Sequence, residues 1–220
     1  MIFPITNPPF RDWANARILF DGNSLVEGAY ASSGNKITDQ LARLAPISSA
    51  VPVGNVGVGG QTTNDMRARR AAYVDPYYQA GKKNILLVWE GTNSVCNAGR
   101  TGLQAASDLA AYITEVRNAH ADWYIMVLTT LPRGQAFAVS MAADNAELVT
   151  YNNYLLTNYR NMRANAVCDV RQPGSPFILP GYAPADFNET ANTMALPLYA
   201  KQEPRKFDRG TDLHTQANPL

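Results

Sequence analysis

The 220 residues, 46% hydrophobic and 17% charged, suffice for one sizeable core and are short for two full domains, so a single domain over residues 1–220 is expected. A formal net charge of +1 leaves no global field to gather nucleic acid or an anionic membrane surface, and neither is expected as a partner. Met1 to Pro9 holds no basic stretch followed by an apolar run, and no window is apolar enough to span a bilayer, so the sequence reads as a soluble chain without a signal peptide and leaves its compartment open.

In chain order, Ala16 to Phe20 is a short apolar run stopped by Asp21-Gly22-Asn23, the pattern of a buried strand ended by turn residues. A second strand falls within Ile47 to Val58, broken by Pro52 and Gly54; a third is Ile85 to Trp89, closed by Gly91-Thr92-Asn93; a fourth is Tyr124 to Leu128; a weaker fifth is Ala166 to Val170. Between them the period turns helical: Ile37, Leu41 and Leu44 share a face, as do Leu109, Ile113 and Val116, and Leu148, Tyr151, Leu155, Tyr159 and Met162. Asp144 with Glu147 resembles a capping box at the start of the last of these helices. Fully apolar strands alternating with amphipathic helices predict a mostly parallel, five-stranded sheet covered on both faces, a three-layer α/β/α sandwich. Residues 133–143 read as an insertion, and 172–206, rich in Pro with Phe177, Tyr182, Phe187 and Tyr199, as a long loop that is functional or partly disordered; the two are expected to form the substrate walls. The cysteines, Cys96 and Cys168, lack any metal-ligand or redox spacing and read as buried or half-buried thiols, so no metal site and no cofactor is expected.

Ligands of an open parallel sheet bind beyond the carboxyl ends of its strands. There the sequence offers Ser24 after the first strand, Gly57 to Gln61 after the second and Asn93 after the third. A hydroxyl, a glycine-rich backbone and a side-chain amide on one rim are what acyl transfer needs: a nucleophile, and N–H donors for the oxygen that becomes negative. Each has a plainer reading alone, Ser24 as a helix N-cap, Gly60 as a positive-φ turn, Asn93 as a turn closer.

Taken together and in order, these blocks resemble the SGNH (GDSL-like) hydrolase family. Phe20-Asp21-Gly22-Asn23-Ser24-Leu25 is similar to its first block, with Asn23 where Asp is usual; Gly60 looks like the glycine of the second, Gly91-Thr92-Asn93 like the GxN of the third, and Asp212-Leu213-His214 like the last. The resemblance implies a flavodoxin-like fold, Ser24 as nucleophile, His214 as base, and the backbone N–H groups of Ser24 and Gly60 with the Asn93 amide as the oxyanion hole. The family's acid stands three residues before the histidine, where this chain has Thr211, so Asp212 is preferred while Asp208 and a plain Ser-His dyad stay open. Of the two histidines, His120 sits between a helix end and the fourth strand, a position that suits the helix dipole rather than chemistry. Only six residues follow His214, where the family normally continues into a helix.

The expected activity is a serine esterase acting on short acyl esters, acetyl groups on carbohydrates among them, through a triad or dyad. Nucleotide binding is disfavoured, because Gly54-x-x-x-x-Gly59 is followed by Gly60 rather than Lys, and Gly57-x-Gly59 by Thr62 at the third glycine position. The GxSxG elbow is absent, Val26 standing at its last position. The stronger rival is a non-catalytic carbohydrate-binding module that keeps the fold. Oligomeric state is not legible.

Overall fold

The apolar runs become parallel strands in the computed structural model, which describes residues 15–29, 36–43, 51–131 and 142–171. They are β1 (Ala16–Gly22), β2 (Val53–Asn55), β3 (Lys83–Trp89), β4 (Tyr124–Leu128) and β5 (Ala166–Cys168). Their order is β2-β1-β3-β4-β5, and every pairing is parallel. Parallel neighbours require crossover helices, which is why the hydrophobic period alternates along the chain.

The pleat of β1 sends alternate residues to two cores. Leu19 joins Leu86, Val88, Ile125 and Val127 on one face, beneath α3 (Thr63–Tyr73), α5 (Gly102–Ala119) and α6 (Ala142–Asn158). Those helices contribute Met66, Leu109, Tyr112, Ile113, Val116, Leu148, Tyr151 and Leu155. Ile18, Phe20, Ile85 and Trp89 point the other way, toward Leu25 and Val26 of α1 (Ser24–Glu27) and half-buried Ile37 and Leu41 of α2 (Ile37–Ala42). Burying one such side chain contributes about 1.5–3 kcal/mol. Among the described residues, no helix is long and apolar enough to cross a membrane.

Several expectations change. The second strand shrinks to Val53–Asn55, because Pro52 lacks the N–H that a ladder needs. Helix α3 follows Thr62, whose side chain and that of Asp65 form a reciprocal capping box; its charged face hides it from a hydrophobic period, since only Thr63 and Met66 are buried. Asp144 lies within the first turn of α6 rather than at its cap, and Glu147 reaches instead to α5, accepting the Gly102 N–H at 2.6 Å. Ala142 and Ala143 belong to α6, so the insertion ends before them. That helix stops at Asn158, although Met162 beyond it stays buried. Cys96 is half-buried, but Cys168 is exposed. Leu44, the rest of the insertion and everything after Arg171 lie outside the described residues.

Candidate active site

The chain leaves β1 for β2 on one side and returns to β3 on the other, which makes the β1–β3 boundary the switch point where such sheets bind ligands. Gly22 and Trp89 are register partners, so the segments that follow them leave the sheet at one level. Ser24 opens α1 directly after β1. Asn23 caps that helix from an extended backbone, φ −92°, ψ −156°, its Oδ1 accepting the Leu25 N–H at 3.0 Å. The change from Asp to Asn therefore keeps the capping chemistry. Ser24 itself is 5% exposed, and as the first helical residue its N–H precedes the intrahelical ladder.

The loop after β2 reaches the same point because pairing outlasts the strand: the Val56 N–H donates to Phe20 O at 2.9 Å and the Val58 N–H to Gly22 O at 3.0 Å. Asn55 fastens it to α1, Nδ2 donating to Val26 O at 2.6 Å while Oδ1 accepts the Gly57 N–H at 2.9 Å. A Cβ placed on Gly59 would stand 3.7 Å from Ser24 Cβ. Gly60 has φ +77° and open space where a Cβ would be, so left-handed backbone rather than crowding calls for glycine there.

Asn93 lies in α4 (Thr92–Cys96) and is buried. Its Oδ1 accepts from Asn97 Nδ2 at 2.9 Å, and its Nδ2 donates to the carbonyl of Gln61 at 3.0 Å. A primary amide has two N–H donors; one is held by Gln61 and the other has no hydrogen-bond partner among the described residues. Beneath it, the buried Glu90 carboxylate accepts the N–H groups of Asn93 and Ser94 through Oε1, at 2.9 and 3.1 Å. Its Oε2 accepts the hydroxyls of Thr63 and Ser94, at 2.8 and 2.9 Å. Burial pushes this carboxyl above the usual range, against the pull of those four bonds. Asp21 is the second buried acid: Arg69 Nη2 donates to Oδ1 at 2.5 Å, the Gly22 N–H to the same oxygen at 2.8 Å, and Tyr112 Oη to Oδ2 at 2.5 Å. Burial raises its pKa, opposed first by the Arg69 charge.

Ser24, Gly60 and Asn93 thus meet at one rim, as the strand ends suggested. His120 does not join them. It caps the C-terminus of α5, stacks on Tyr78 with ring centroids 3.9 Å apart, and precedes β4, so it lies at the opposite end of the sheet. His214, Asp212 and Asp208 lie outside the described residues. The supporting roles of Asp21, Gln61, Arg69, Glu90 and Asn97 were not read from the sequence. Asp21 and Glu90 leave a signal, an acid at the end of an apolar run, where burial demands partners; Arg69 leaves none.

The GDSL-like lipase/acylhydrolase family model matches residues 20–186. The chain belongs to that family, whose members hydrolyse ester bonds. A second model, phage major capsid protein E, matches residues 173–220, so His214, Asp212 and Asp208 fall beyond the hydrolase match and within the capsid one. No curated protein matches the sequence. Solved structures confirm the fold at low identity. A lipolytic protein of the G-D-S-L family from Desulfitobacterium hafniense superposes with TM-score 0.57 at 13% identity, over 77% of this chain and 91% of that one. A GDSL-like lipase from Bacteroides thetaiotaomicron gives 0.58 at 14%, over 90% and 80%. A carbohydrate acetylesterase from Sinorhizobium meliloti gives 0.58 at 13%, over 70% and 84%.

Proposed function

We propose that the chain is a serine esterase in which Ser24 attacks an ester carbonyl, His214 takes the Ser24 proton, and Asp212 holds the imidazole tautomer. The tetrahedral oxyanion is received by the backbone N–H groups of Ser24 and Gly60 and by the second N–H of the Asn93 amide. His214 gives the Ser24 proton to the departing alcohol oxygen as the tetrahedral intermediate collapses to the acyl-enzyme, and a water deprotonated by the same imidazole then releases the acid and restores Ser24. The substrate class is short acyl esters, acetyl on a carbohydrate alcohol foremost, in line with the acetylesterase from S. meliloti among the similar folds. The observation that supports this reading is the convergence of Ser24, the Gly59–Gly60 turn and the Asn93 amide at the switch point.

The test is labelling by a fluorophosphonate together with hydrolysis of an aryl acetate and of acetylated xylo-oligosaccharides. Wild type is expected to label at Ser24 and turn over both esters, and Ser24→Ala to do neither. Wild type that binds the oligosaccharide without labelling or turnover establishes the rival, a binding module. A different second reading is favoured by the capsid match over residues 173–220. On it, that segment is a capsid-like structural element, and the base that activates Ser24 is not His214.

A further inference from the structure

The Asn93 amide is only as well aimed as the carbonyl that holds it, and that carbonyl belongs to Gln61, the residue after the Gly59–Gly60 turn. Gln61 is itself tied down from below. Its side-chain Oε1 accepts from Arg69 Nε, and the same guanidinium donates through Nη2 to Asp21 at 2.5 Å. Asp21 is wholly buried and Arg69 nearly so, with side-chain exposures of 0% and 10%. Tyr112, buried on α5, completes the anchor through its hydroxyl on Asp21. The chain of contacts therefore runs from the end of β1, through α3, into the loop after β2, and ends on the α4 amide.

We infer that the Asp21–Arg69 pair is a positioning device for the oxyanion hole: it fixes Gln61, and through the Gln61 carbonyl it fixes the direction of the Asn93 donor. This rests on the esterase reading of the rim and deepens it. A buried ion pair repays its desolvation poorly, so the pair is weak evidence of stabilisation and is consistent with a role in orientation. The fork geometry of the guanidinium lets one rigid plane hold an acid and an amide oxygen at once, which a lysine cannot do.

Removing Asp21 or Arg69 would strand a buried charge, so the informative change is at Gln61, which is only half-buried. In the full chain, Gln61→Ala keeps the backbone carbonyl but removes the side-chain oxygen that Arg69 holds. It is expected to lower kcat on an aryl acetate by about 10- to 100-fold, the range for a misaimed group, with KM within about twofold. Gln61→Glu restores an acceptor for Arg69 and is expected to recover most of the lost kcat. In an Asn93→Ala background, Gln61→Ala is expected to have almost no further effect, because the donor it aims is gone. Unchanged kcat in Gln61→Ala, no rescue by Gln61→Glu, or a full additional loss on top of Asn93→Ala overturns this inference while an active wild type with a dead Ser24→Ala leaves the esterase reading intact. A wild type with neither turnover nor Ser24 labelling overturns both.

Discussion

Asn93 is held at both side chain and backbone: Oδ1 accepts from Asn97, one side-chain N–H donates to the Gln61 carbonyl, and the backbone N–H donates to Glu90. A donor held in this way needs no reorganisation when negative charge develops near it, which is where such groups gain their effect. Asn93→Ala is therefore expected to lower kcat about 10²- to 10³-fold, while the lost buried bonds cost about 1–3 kcal/mol of stability and leave the protein folded. Steady-state kinetics beside a urea melt separates the two. Gly60→Ala makes a complementary case. Since a Cβ there meets nothing and only φ +77° opposes it, the expected loss is about 1–2 kcal/mol, with a fall in kcat if the turn flattens to relieve it. A larger destabilisation measured by the same melt would mean the turn is crowded after all. The placement of Gly60 and Asn93 was legible in the sequence because each lies in the segment that follows a strand, β2 and β3 respectively. The partners that aim them were not, because Gln61, Arg69 and Asp21 meet only once β1 and α3 are packed.

At the scale of elements, Glu90 is the joint between the two arms of the rim. It holds the first residue of α3 through Thr63 and the first turn of α4 through the Asn93 and Ser94 amides. Its carboxyl is raised chiefly by burial, and the sign of the consequence follows. Unfolded, Glu90 ionises near its ordinary value of about 4.3; folded, it holds its proton to higher pH. Its contribution to stability is thus full below that ordinary value and is lost as pH climbs through the folded one. Asp21, raised for the same leading reason, adds to the trend. Glu90→Gln is expected to flatten part of this decline in urea unfolding series from about pH 4 to about pH 8; identical slopes in variant and wild type would show that the ionisation is not coupled to folding. The strands were readable in advance because a buried parallel strand is apolar throughout, as Ile85 to Trp89 is. Helix α3 was not, because in Thr63 to Tyr73 only Thr63 and Met66 are buried, too few to set a hydrophobic period, and its capping pair Thr62 and Asp65 is the only local sign. The misread box at Asp144 and Glu147 has the same origin: a local pattern was satisfied by a distant amide, that of Gly102.

At the scale of the whole molecule, the proposed mechanism needs an acceptor for the Ser24 proton. A seven-residue strand is roughly 20 Å long, and His120 lies at the end of the sheet away from Ser24, fixed by its stack on Tyr78 and by its place at the C-terminus of α5. No loop movement of ordinary size brings that ring to the rim. With two histidines in the chain, the imidazole base of the proposed mechanism is His214, and the segment holding it matches a capsid protein model rather than the hydrolase family model. The two readings of residues 173–220 part on one variant. If His214 is the base, His214→Ala lowers kcat/KM about 10²- to 10⁴-fold and slows fluorophosphonate labelling in parallel, because one imidazole activates the hydroxyl in both reactions. His120→Ala leaves both rates unchanged. If His214→Ala labels and turns over as fast as wild type, Ser24 draws on a base other than His214, and the triad reading of residues 173–220 falls.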